Sequence, residues 1–295
     1  LHIAPYFNYR SITLSSVTAG DLEDYYAYKM AQGLSPNTVI KHHAVIRSSL
    51  QWAVKHRYIK ENVADCATRP KKVKYEGNMP YTIQEISNLL YLTQNEPISV
   101  PIFLASFYGL RRSEVLGLRW SAIDFNSGWL HISTTVVKEM EDNKVNIAVR
   151  EDTTKTYYSK RSLPLCQYTL QYLMTLRQKQ LYQQQICGAS YINDYIDFVC
   201  VDDMGMLLQP DFVSQKFQKI LRKYGLRPIR YHDLRHSCAT IMLNLGYSVK
   251  DIQTWLGHSN YNFTADTYVH TVPTSHEEMA STFAKQLLGS SNEKE

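Results

Sequence analysis

Three side chains that could bind a ligand or take part in catalysis, His232, Arg235 and His236, share one helical turn in the segment HDLRH, residues 232–236. His232 and His236 have the spacing at which two helical histidines bind one zinc ion, whereas His232 and Arg235 are suited to binding a phosphate. In the zinc pattern a Glu follows the first histidine, and here that place holds the shorter Asp233. Arg235 would also repel a divalent cation unless a carboxylate offset its charge. The segment therefore favours an anion site, although a helix N-terminus with polar caps would account for it as well.

Two other segments supply residues that fit the phosphate interpretation. YGLRRSEVLGLRWSAID, residues 108–124, precedes HDLRH, and LGHSNYNFTADTYVH, residues 256–270, follows it. In this order, the three segments resemble the tyrosine recombinase (phage integrase) family, and the resemblance covers nearly the whole chain. It implies cleavage and rejoining of DNA, with a lysine on a turn of an inserted sheet completing the catalytic set. Carried onto this sequence, that set is Arg111, Lys155, His232, Arg235, His258 and Tyr268.

Phosphodiester cleavage without a metal requires cations that stabilise the extra negative charge on the pentacoordinate phosphorus. Two guanidinium groups supply planar pairs of donors that match phosphate oxygens, and we expect Arg111 and Arg235 to have this role. Arg112 is the alternative to Arg111 for this role. On a short helix that begins here, its side chain would point about 100° away from that of Arg111.

A tyrosine hydroxyl can attack phosphorus and hold it as a 3′-phosphotyrosine, so that another 5′-hydroxyl can reverse the step without ATP. The resemblance places this nucleophile at Tyr268, and Tyr261 is its competitor. We expect Lys155 to protonate the leaving 5′-oxygen as general acid, with Lys160 and Arg161 as alternatives.

The remaining polar residues of the three segments have supporting roles in this interpretation. His232 would position the phosphate or handle the tyrosine proton, and His258 would donate a hydrogen bond to a nonbridging oxygen. Glu114 and Asp233 are candidates for acceptors that orient the arginines, or for helix caps. We expect His236 and His270 to be structural.

Composition restricts the class of protein. The chain has 295 residues and a net charge of +5, and its five cysteines never form a CxxC pair. This pattern argues against a disulfide framework and against a zinc ribbon, and it favours a reducing cytoplasm. The family resemblance further implies a DNA-associated bacterial protein without a metal or other cofactor. Its apolar stretches are shorter than the roughly 18 residues that a membrane helix needs.

The pattern along the chain predicts two domains and a mainly α fold with a small antiparallel β-sheet. Residues 1–68 are helical and resemble a SAM-like core-binding domain, with Thr18 and Ser35 as helix caps. By comparison with the family, this domain lacks the first helix, which suggests a truncated N-terminus or a different subclass. RPKKVKYEGN, residues 69–78, is typical of an exposed basic linker. Residues 79–295 predict an α+β catalytic domain of the DNA breaking-rejoining type with a C-terminal tail helix.

Alternation of apolar and polar residues within the second domain predicts strands in WLHISTTVVKEM, KVNIAVR and KRSLPL. The spacing of Thr82 and Glu85 predicts a capping box, and residues 97–109 predict an apolar helix. The helix that begins near HDLRH is expected to bury the stripe Leu234, Cys238, Ile241 and Leu245.

Basic residues outside the catalytic set follow the polar face of the second helix and the linker. They would bind the phosphate backbone with salt-dependent affinity, although a solvated helix face and a solubilising linker are the alternative. The candidates for DNA binding are Lys41, Arg47, Arg69, Lys71, Lys72 and Lys74.

The resemblance also implies an assembly of four protomers with two double-stranded DNA sites. The amphipathic tail helix, residues 275–288, carries Met279, Phe283 and Leu287 on one face. We expect it to dock on a neighbouring protomer, with packing on its own domain as the alternative. Other functions that share part of these motifs are DNA relaxation by a type IB topoisomerase and, less favoured, metal-dependent hydrolysis at His232 and His236.

Overall fold

A computed structural model gives the fold of the chain and describes residues 2–73, 79–141, 144–151 and 161–257. The chain divides into two compact units, Leu1–Gly77 and Asn78–Glu295. Both are rich in helix, and the second also contains antiparallel strands. The fold class predicted from the sequence, mainly α with a small β component, is confirmed. None of the helices in these ranges is both long and apolar enough to cross a membrane.

The first unit is built from three helices in its described part, α1 (Ala4–Tyr9), α2 (Ala19–Ala31) and α3 (Pro36–Lys55). The predicted caps are present, since Thr18 Oγ1 accepts from the Asp21 backbone N–H at 3.2 Å and Ser35 Oγ accepts from the Thr38 N–H at 3.2 Å. The core of this unit lies between α2 and α3. Its buried side chains are Tyr6, Leu22, Tyr25, Tyr26, Val39, Ile46, Leu50 and Ala64.

The helices of the second unit enclose the larger core. In the described residues they are α4 (Ile83–Thr93), α5 (Ser99–Tyr108), α6 (Arg112–Gly117), α7 (Gln167–Cys187), α8 (Pro210–Lys223), α9 (Asp233–Asn244) and α10 (Val249–Leu256). The capping box predicted at Thr82 and Glu85 begins α4. The apolar segment after it forms α5, seven of whose ten residues are buried because it packs inside the unit and contacts both α4 and α9.

In the described residues the strands form two small antiparallel sheets, in agreement with the predicted antiparallel β component. One sheet has the order β1 (Ile123–Asp124), β2 (Trp129–Ile132), β5 (Arg161–Pro164), and the other pairs β3 (Thr134–Glu141) with β4 (Lys144–Glu151). The predicted strand WLHISTTVVKEM is divided at Ser133 between the two. Leu130 and Leu163 face each other in the register of β2 and β5 and are both buried. The same register places Arg161 opposite Ile132, the last residue of β2.

Helix α9 buries a different set of side chains from the predicted stripe. Leu234 and Cys238 are buried and Ile241 is partly buried, but Leu245 is 64% exposed. The helix ends at Asn244, and Gly246 then adopts a left-handed φ of +90° that turns the chain away from the core. The first turns of α9 also bury three polar residues, Asp233, Arg235 and Ser237.

Candidate functional site

The carboxylate of Glu114 lies buried at the start of α6, where 6% of its side chain is exposed. It caps the first turn from within, because the backbone N–H of Arg111, the N-cap residue, donates to Glu114 Oε2 at 2.9 Å. The next residues, Val115 and Leu116, are buried in the core and hold this turn against it. Glu114 is therefore a fixed anion inside the second unit.

Three arginines from separate elements surround this carboxylate, and we refer to Arg111, Arg161 and Arg235 as the arginine cluster. Arg111 Nη1 lies 2.6 Å from Glu114 Oε1, and Arg161 Nη2 lies 2.9 Å from Oε2. Arg235 Nη1 lies 4.0 Å from Oε2. Three guanidinium groups against one carboxylate leave positive charge in excess among these four side chains. Such an excess favours the binding of an anion.

The electrostatics of Glu114 follow from this arrangement. Burial by itself would raise the pKa of the carboxyl, but the charges and hydrogen bonds of the arginines outweigh it. Arg161 has the largest effect, followed by Arg111 and then Arg235, and together they lower the pKa of Glu114 from 4.5 to about 2. The carboxylate is thus ionised throughout the neutral range.

The arginine cluster also binds the C-terminal end of α10. Arg161 Nε donates to the Trp255 carbonyl at 2.8 Å, Arg235 Nη2 to the Leu256 carbonyl at 2.8 Å, and Arg111 Nη2 to the Gly257 carbonyl at 3.0 Å. Carbonyls in the last turn of a helix have no N–H partner within the helix and need donors from elsewhere. Each arginine supplies one of these donors to one of three successive residues.

Two glycines allow these close approaches. Gly257 has a φ of +69°, and a Cβ atom there would lie 2.7 Å from Arg161 Nη1. Gly109 has a φ of +64°, and a Cβ atom there would lie 2.4 Å from a methyl carbon of Leu256. The carbonyl of Gly109 accepts from Arg235 Nη1 at 2.6 Å. Glycine is favoured at both positions because L side chains rarely adopt this backbone conformation.

Tyr108 connects α5 to the same end of α10. Its ring stacks on Trp255 with centroids 5.8 Å apart and planes 7° from parallel, and Trp255 Nε1 donates to the Tyr108 carbonyl at 3.1 Å. Tyr108 therefore packs against α10 and is itself buried.

His232 lies at the N-cap of α9, with its ring edge-on to His236 at a centroid distance of 5.1 Å. Part of the ring reaches solvent, but the protein around the remainder lowers its pKa to about 4, and the neighbouring positive charges of His236 and Arg235 act in the same direction. Burial also lowers the pKa of His236. His232 is therefore uncharged at neutral pH and has a ring nitrogen able to accept a proton.

Of the two candidate acceptors, Glu114 contacts Arg111, whereas Asp233 pairs with Arg230. Asp233 Oδ2 accepts from the Arg230 backbone N–H at 2.7 Å, and Asp233 Oδ1 accepts from its Nη2 at 2.8 Å. Asp233 thus fixes the chain that leads into α9.

A cleft of about 570 Å³ places Arg111 and His232 on one surface. Arg112 also reaches it, but its guanidinium donates to the Ser214 hydroxyl on α8 instead of joining Glu114. The side chains that line the cleft are Arg111, Arg112, Ser113, Ser214, Gln218, Arg230, Tyr231 and His232. Cationic and hydroxyl groups in this arrangement are suited to an extended phosphate ester.

The structure therefore brings three of the predicted catalytic residues together, namely Arg111, His232 and Arg235. Lys155, His258 and Tyr268 lie outside the described residues, as do Lys74 and the tail helix of residues 275–288. The sequence interpretation did not find the role of Arg161, which it considered only as a substitute for a lysine. A basic residue in KRSLPL is typical of an exposed strand end, so no local signal indicated its burial.

The first unit carries a second basic surface. A cleft of about 970 Å³ is lined by Arg47, Lys55 and Arg69 together with the exposed ring of Trp52. Arg47 is held by Asp65, with Nε 2.6 Å from Oδ1. Further members of the predicted DNA-binding set, Lys41, Lys71 and Lys72, are exposed.

The start of the predicted linker lies against α3. The side-chain amide of Asn37 donates to the Val73 carbonyl at 2.7 Å and accepts from the Val73 N–H at 3.1 Å. Lys41 is one helical turn after Asn37 and so lies on the same side of α3. The exposed Lys71 and Lys72 immediately precede Val73, which places these lysines on one side of the unit.

Comparison with known families gives two matches. The profile described as Phage integrase family matches residues 84–274, and the profile described as Phage integrase SAM-like domain matches residues 2–71. Among individual proteins, a XerC-like tyrosine recombinase of Caldanaerobacter subterraneus subsp. tengcongensis is 25% identical over 272 residues, which cover 88% of this chain and 69% of that protein. The ICEBs1 integrase of Bacillus subtilis is 26% identical over 285 residues, which cover 95% of this chain and 73% of that protein.

Solved structures share the fold. The Tn1549 transposon integrase in complex with a circular intermediate DNA superposes with a TM-score of 0.74 at 18% identity, covering 92% of this chain and 86% of that one. A lambda integrase tetramer bound to a Holliday junction superposes with a TM-score of 0.58 at 14% identity, covering 85% and 64% of the two chains. The architecture described above is thus common to these proteins.

Proposed function

The chain belongs to the phage integrase family of tyrosine recombinases, and we propose that Arg111 and Arg235 bind the DNA phosphate at which its reaction takes place. The protein is a site-specific DNA recombinase. Family membership does not favour relaxation of DNA by a topoisomerase, nor hydrolysis by a metal at His232 and His236. The observation that carries the proposal is the convergence of the two arginines on Glu114, with Arg111 facing a cationic cleft.

The arrangement of donors supports this role for both arginines. The side chain of Arg111 is 38% exposed, so that its guanidinium borders the cleft while Glu114 and the Gly257 carbonyl fix its direction. The side chain of Arg235 is 2% exposed and donates to two backbone carbonyls. Its positive charge is therefore held in place before the reaction, as is required of a group that stabilises charge on a reacting phosphate. A phosphate bound beside them would offset the excess positive charge of the arginine cluster.

The proposed reaction proceeds through a 3′-phosphotyrosine. The phenol oxygen of Tyr268 forms a bond to phosphorus, the bond from phosphorus to the 5′-oxygen breaks, and Lys155 gives the leaving oxygen a proton. His232 accepts the tyrosine proton or positions the phosphate, and its place on the same cleft as Arg111 supports a role at the reacting group. His258 donates to a nonbridging oxygen. Attack by the 5′-hydroxyl of another strand then restores a phosphodiester and the free phenol, without ATP or a metal.

We propose that residues 1–68, which make up most of the first unit, are the core-binding domain, and that residues 69–78 continue its contact with the DNA backbone. The exposed Lys41, Arg69, Lys71 and Lys72 and the Asp65-paired Arg47 support a backbone contact. Lys74 belongs to the same basic run in the sequence. Residues 79–295 would supply the chemistry.

A homo-tetramer on two DNA duplexes is the proposed active assembly, with the tail helix of residues 275–288 exchanged between protomers. The lambda integrase tetramer, which has the same fold, supports this assembly. Both named relatives come from bacteria, and the ICEBs1 and Tn1549 integrases support a role in the movement of a mobile element. We place the protein on bacterial DNA in the cytoplasm.

The decisive experiment is trapping of the covalent intermediate. A nicked duplex carrying the attachment site of the element is incubated with the protein, and a denaturing gel reports the protein–DNA adduct. We expect an adduct with wild type and with Tyr261→Phe, and none with Tyr268→Phe. An adduct that persists in the Tyr268 variant and disappears in the Tyr261 variant would overturn the assignment of the nucleophile. A reaction that stops in chelator would overturn the metal-free mechanism.

A further inference from the structure

We propose that Arg161 is a positioning residue that holds Arg111 and Arg235 in the arrangement required to bind one phosphate. It acts through two contacts that it shares with them, the Glu114 carboxylate and the last turn of α10. The inference rests on the proposed function of the two arginines. It adds a residue that the family's catalytic set, as applied to this sequence, does not contain.

Arg161 is the most completely engaged partner of Glu114. Its Nη1 and Nη2 lie 3.2 and 2.9 Å from the two carboxylate oxygens, and 7% of its side chain is exposed. A bidentate contact of this kind fixes the plane of the carboxylate as well as its position. The same carboxylate receives Arg111 Nη1 at 2.6 Å. Rotation of Glu114 would therefore move the point to which Arg111 is anchored.

The second contact is made to the backbone of α10. Arg161 Nε donates to the Trp255 carbonyl, next to the carbonyls that accept from Arg235 and Arg111. The guanidinium lies so close to Gly257 that a Cβ atom there would come within 3.1 Å of Arg161 Cζ. Arg161 therefore fills the space beside the final residues of α10 and fixes the three carbonyls relative to Glu114.

This geometry is unsuited to general acid catalysis, the alternative role for Arg161. A general acid must reach the leaving oxygen and release a proton there. The Arg161 guanidinium is directed at Glu114 and the Trp255 carbonyl in the protein interior, and an arginine does not give up its proton in proteins. Its effect on the reaction must therefore pass through the groups that it holds.

The chain contains a matched control at Arg227. Like Arg161, Arg227 makes a bidentate contact to a glutamate in the first turn of a helix, Glu85, at 2.9 and 3.0 Å, and it donates to backbone carbonyls, those of Met79 and Pro80. Unlike Arg161, it shares no contact with Arg111 or Arg235 in the described residues. Replacing either arginine by lysine keeps the charge and removes the planar bidentate contact.

The test measures adduct formation by Arg161→Lys and Arg227→Lys on two nicked substrates, one with an ordinary phosphodiester and one with sulfur in place of the leaving 5′-oxygen. A thiolate leaves without a proton, so the second substrate restores the rate of a variant that lacks only its general acid. We expect Arg161→Lys to be slower by about 100-fold on both substrates, the cost of misplacing reacting groups by about 1 Å. DNA affinity should stay within about threefold of wild type, because the phosphate-backbone contacts that dominate affinity are intact. Arg227→Lys should match wild type.

Each result decides the proposal. Recovery of Arg161→Lys on the sulfur substrate would make the residue an acid and overturn the positioning role, and so would wild-type rates on both substrates. If Arg161→Lys shows no cooperative unfolding transition, Arg161→Gln takes its place with the same two outcomes. A wild-type protein that forms no Tyr268-dependent adduct would contradict the proposed function itself, which separates that failure from a failure of this inference.

Discussion

Arg111 and Glu114 hold each other through two contacts at the start of α6, one from the backbone N–H of Arg111 at 2.9 Å and one from its guanidinium at 2.6 Å. The same carboxylate therefore begins a helix and directs a candidate catalytic side chain. Because Glu114 also faces Arg161 and Arg235, its removal would leave buried guanidinium groups without their counter-charge.

We predict that Glu114→Gln lowers the free energy of unfolding by about 3 kcal/mol or more at pH 7, the cost of breaking a buried ion pair from one side. Glu85→Gln is the control, because Glu85 caps α4 and pairs with an arginine in a more exposed position. It should cost about 1 kcal/mol. Urea denaturation measures both, and equal losses would contradict the central role of Glu114.

The contribution of Glu114 to the free energy of unfolding should depend on pH. Its pKa is about 2 in the folded protein and 4.5 ordinarily, so its stabilising effect is complete above about pH 4.5 and decreases as the pH falls towards 2. The difference in unfolding free energy between wild type and Glu114→Gln should shrink over this range. Urea titrations at pH 7, 4.5 and 3 test this, and a difference that stays constant would refute the lowered pKa.

His232 should also lower the stability of the folded protein as the pH falls, but at a higher pH than Glu114 does. Its pKa is about 4 in the folded protein and 6.5 ordinarily, so the unfolded chain binds a proton first as the pH falls below 6.5. The folded state is thereby disfavoured between pH 6.5 and 4, and His232→Asn removes this effect. We expect the variant to gain stability relative to wild type across this window. A relative loss would indicate that His232 is charged in the folded protein.

Replacements of Arg111 and of Arg112 should have different effects on reaction rate and DNA affinity. We predict that Arg111→Ala slows adduct formation by about 100-fold or more at saturating DNA, as expected for a donor to a developing charge. Arg112 contacts Ser214 at the wall of the cleft and should affect DNA affinity more than rate when replaced by alanine. Single-turnover rates and Kd values measured together distinguish the two, and a reversed pattern would exchange their roles.

The basic segment after α3 should contribute salt-dependent affinity. Replacing both Lys71 and Lys72 by glutamine should reduce the slope of log K against log salt by about 1.8, because each phosphate contact contributes about 0.9. Lys179→Gln is the control, since Lys179 lines a different cleft that also contains the acidic Glu96, Asp202 and Asp203. Binding titrations over a range of NaCl concentrations give the slopes. An unchanged slope would mean that the two lysines face solvent in the complex.

Local signals in the sequence predicted the helix starts well. Thr18, Ser35 and Thr82 cap helices as expected, because a cap and the helix that it begins lie within four residues of each other. The prediction failed at Leu245, where the hydrophobic period continues beyond the end of α9. Periodicity records which side chains would share a face, but not where the chain leaves the helix.

The candidate site could be predicted only in part. Arg111 and Arg235 stand in recognisable motifs, whereas Arg161 becomes part of the site through partners 47 and 94 residues away. Neighbouring residues carry no information about pairings over such distances. A charged residue at the beginning of a short strand is ordinarily exposed, so its burial depends on the tertiary structure alone.

The last turn of α10 has an electrostatic consequence for the arginine cluster. A helix carries a partial negative charge at its C-terminal end, and here that end points at three guanidinium groups. Peptide dipoles do not titrate. The part of the guanidinium charge that the helix end offsets therefore stays offset in acid, after Glu114 has gained its proton. It depends instead on the helix staying wound, and unwinding the terminal turn of α10 would take acceptors from all three arginines at once.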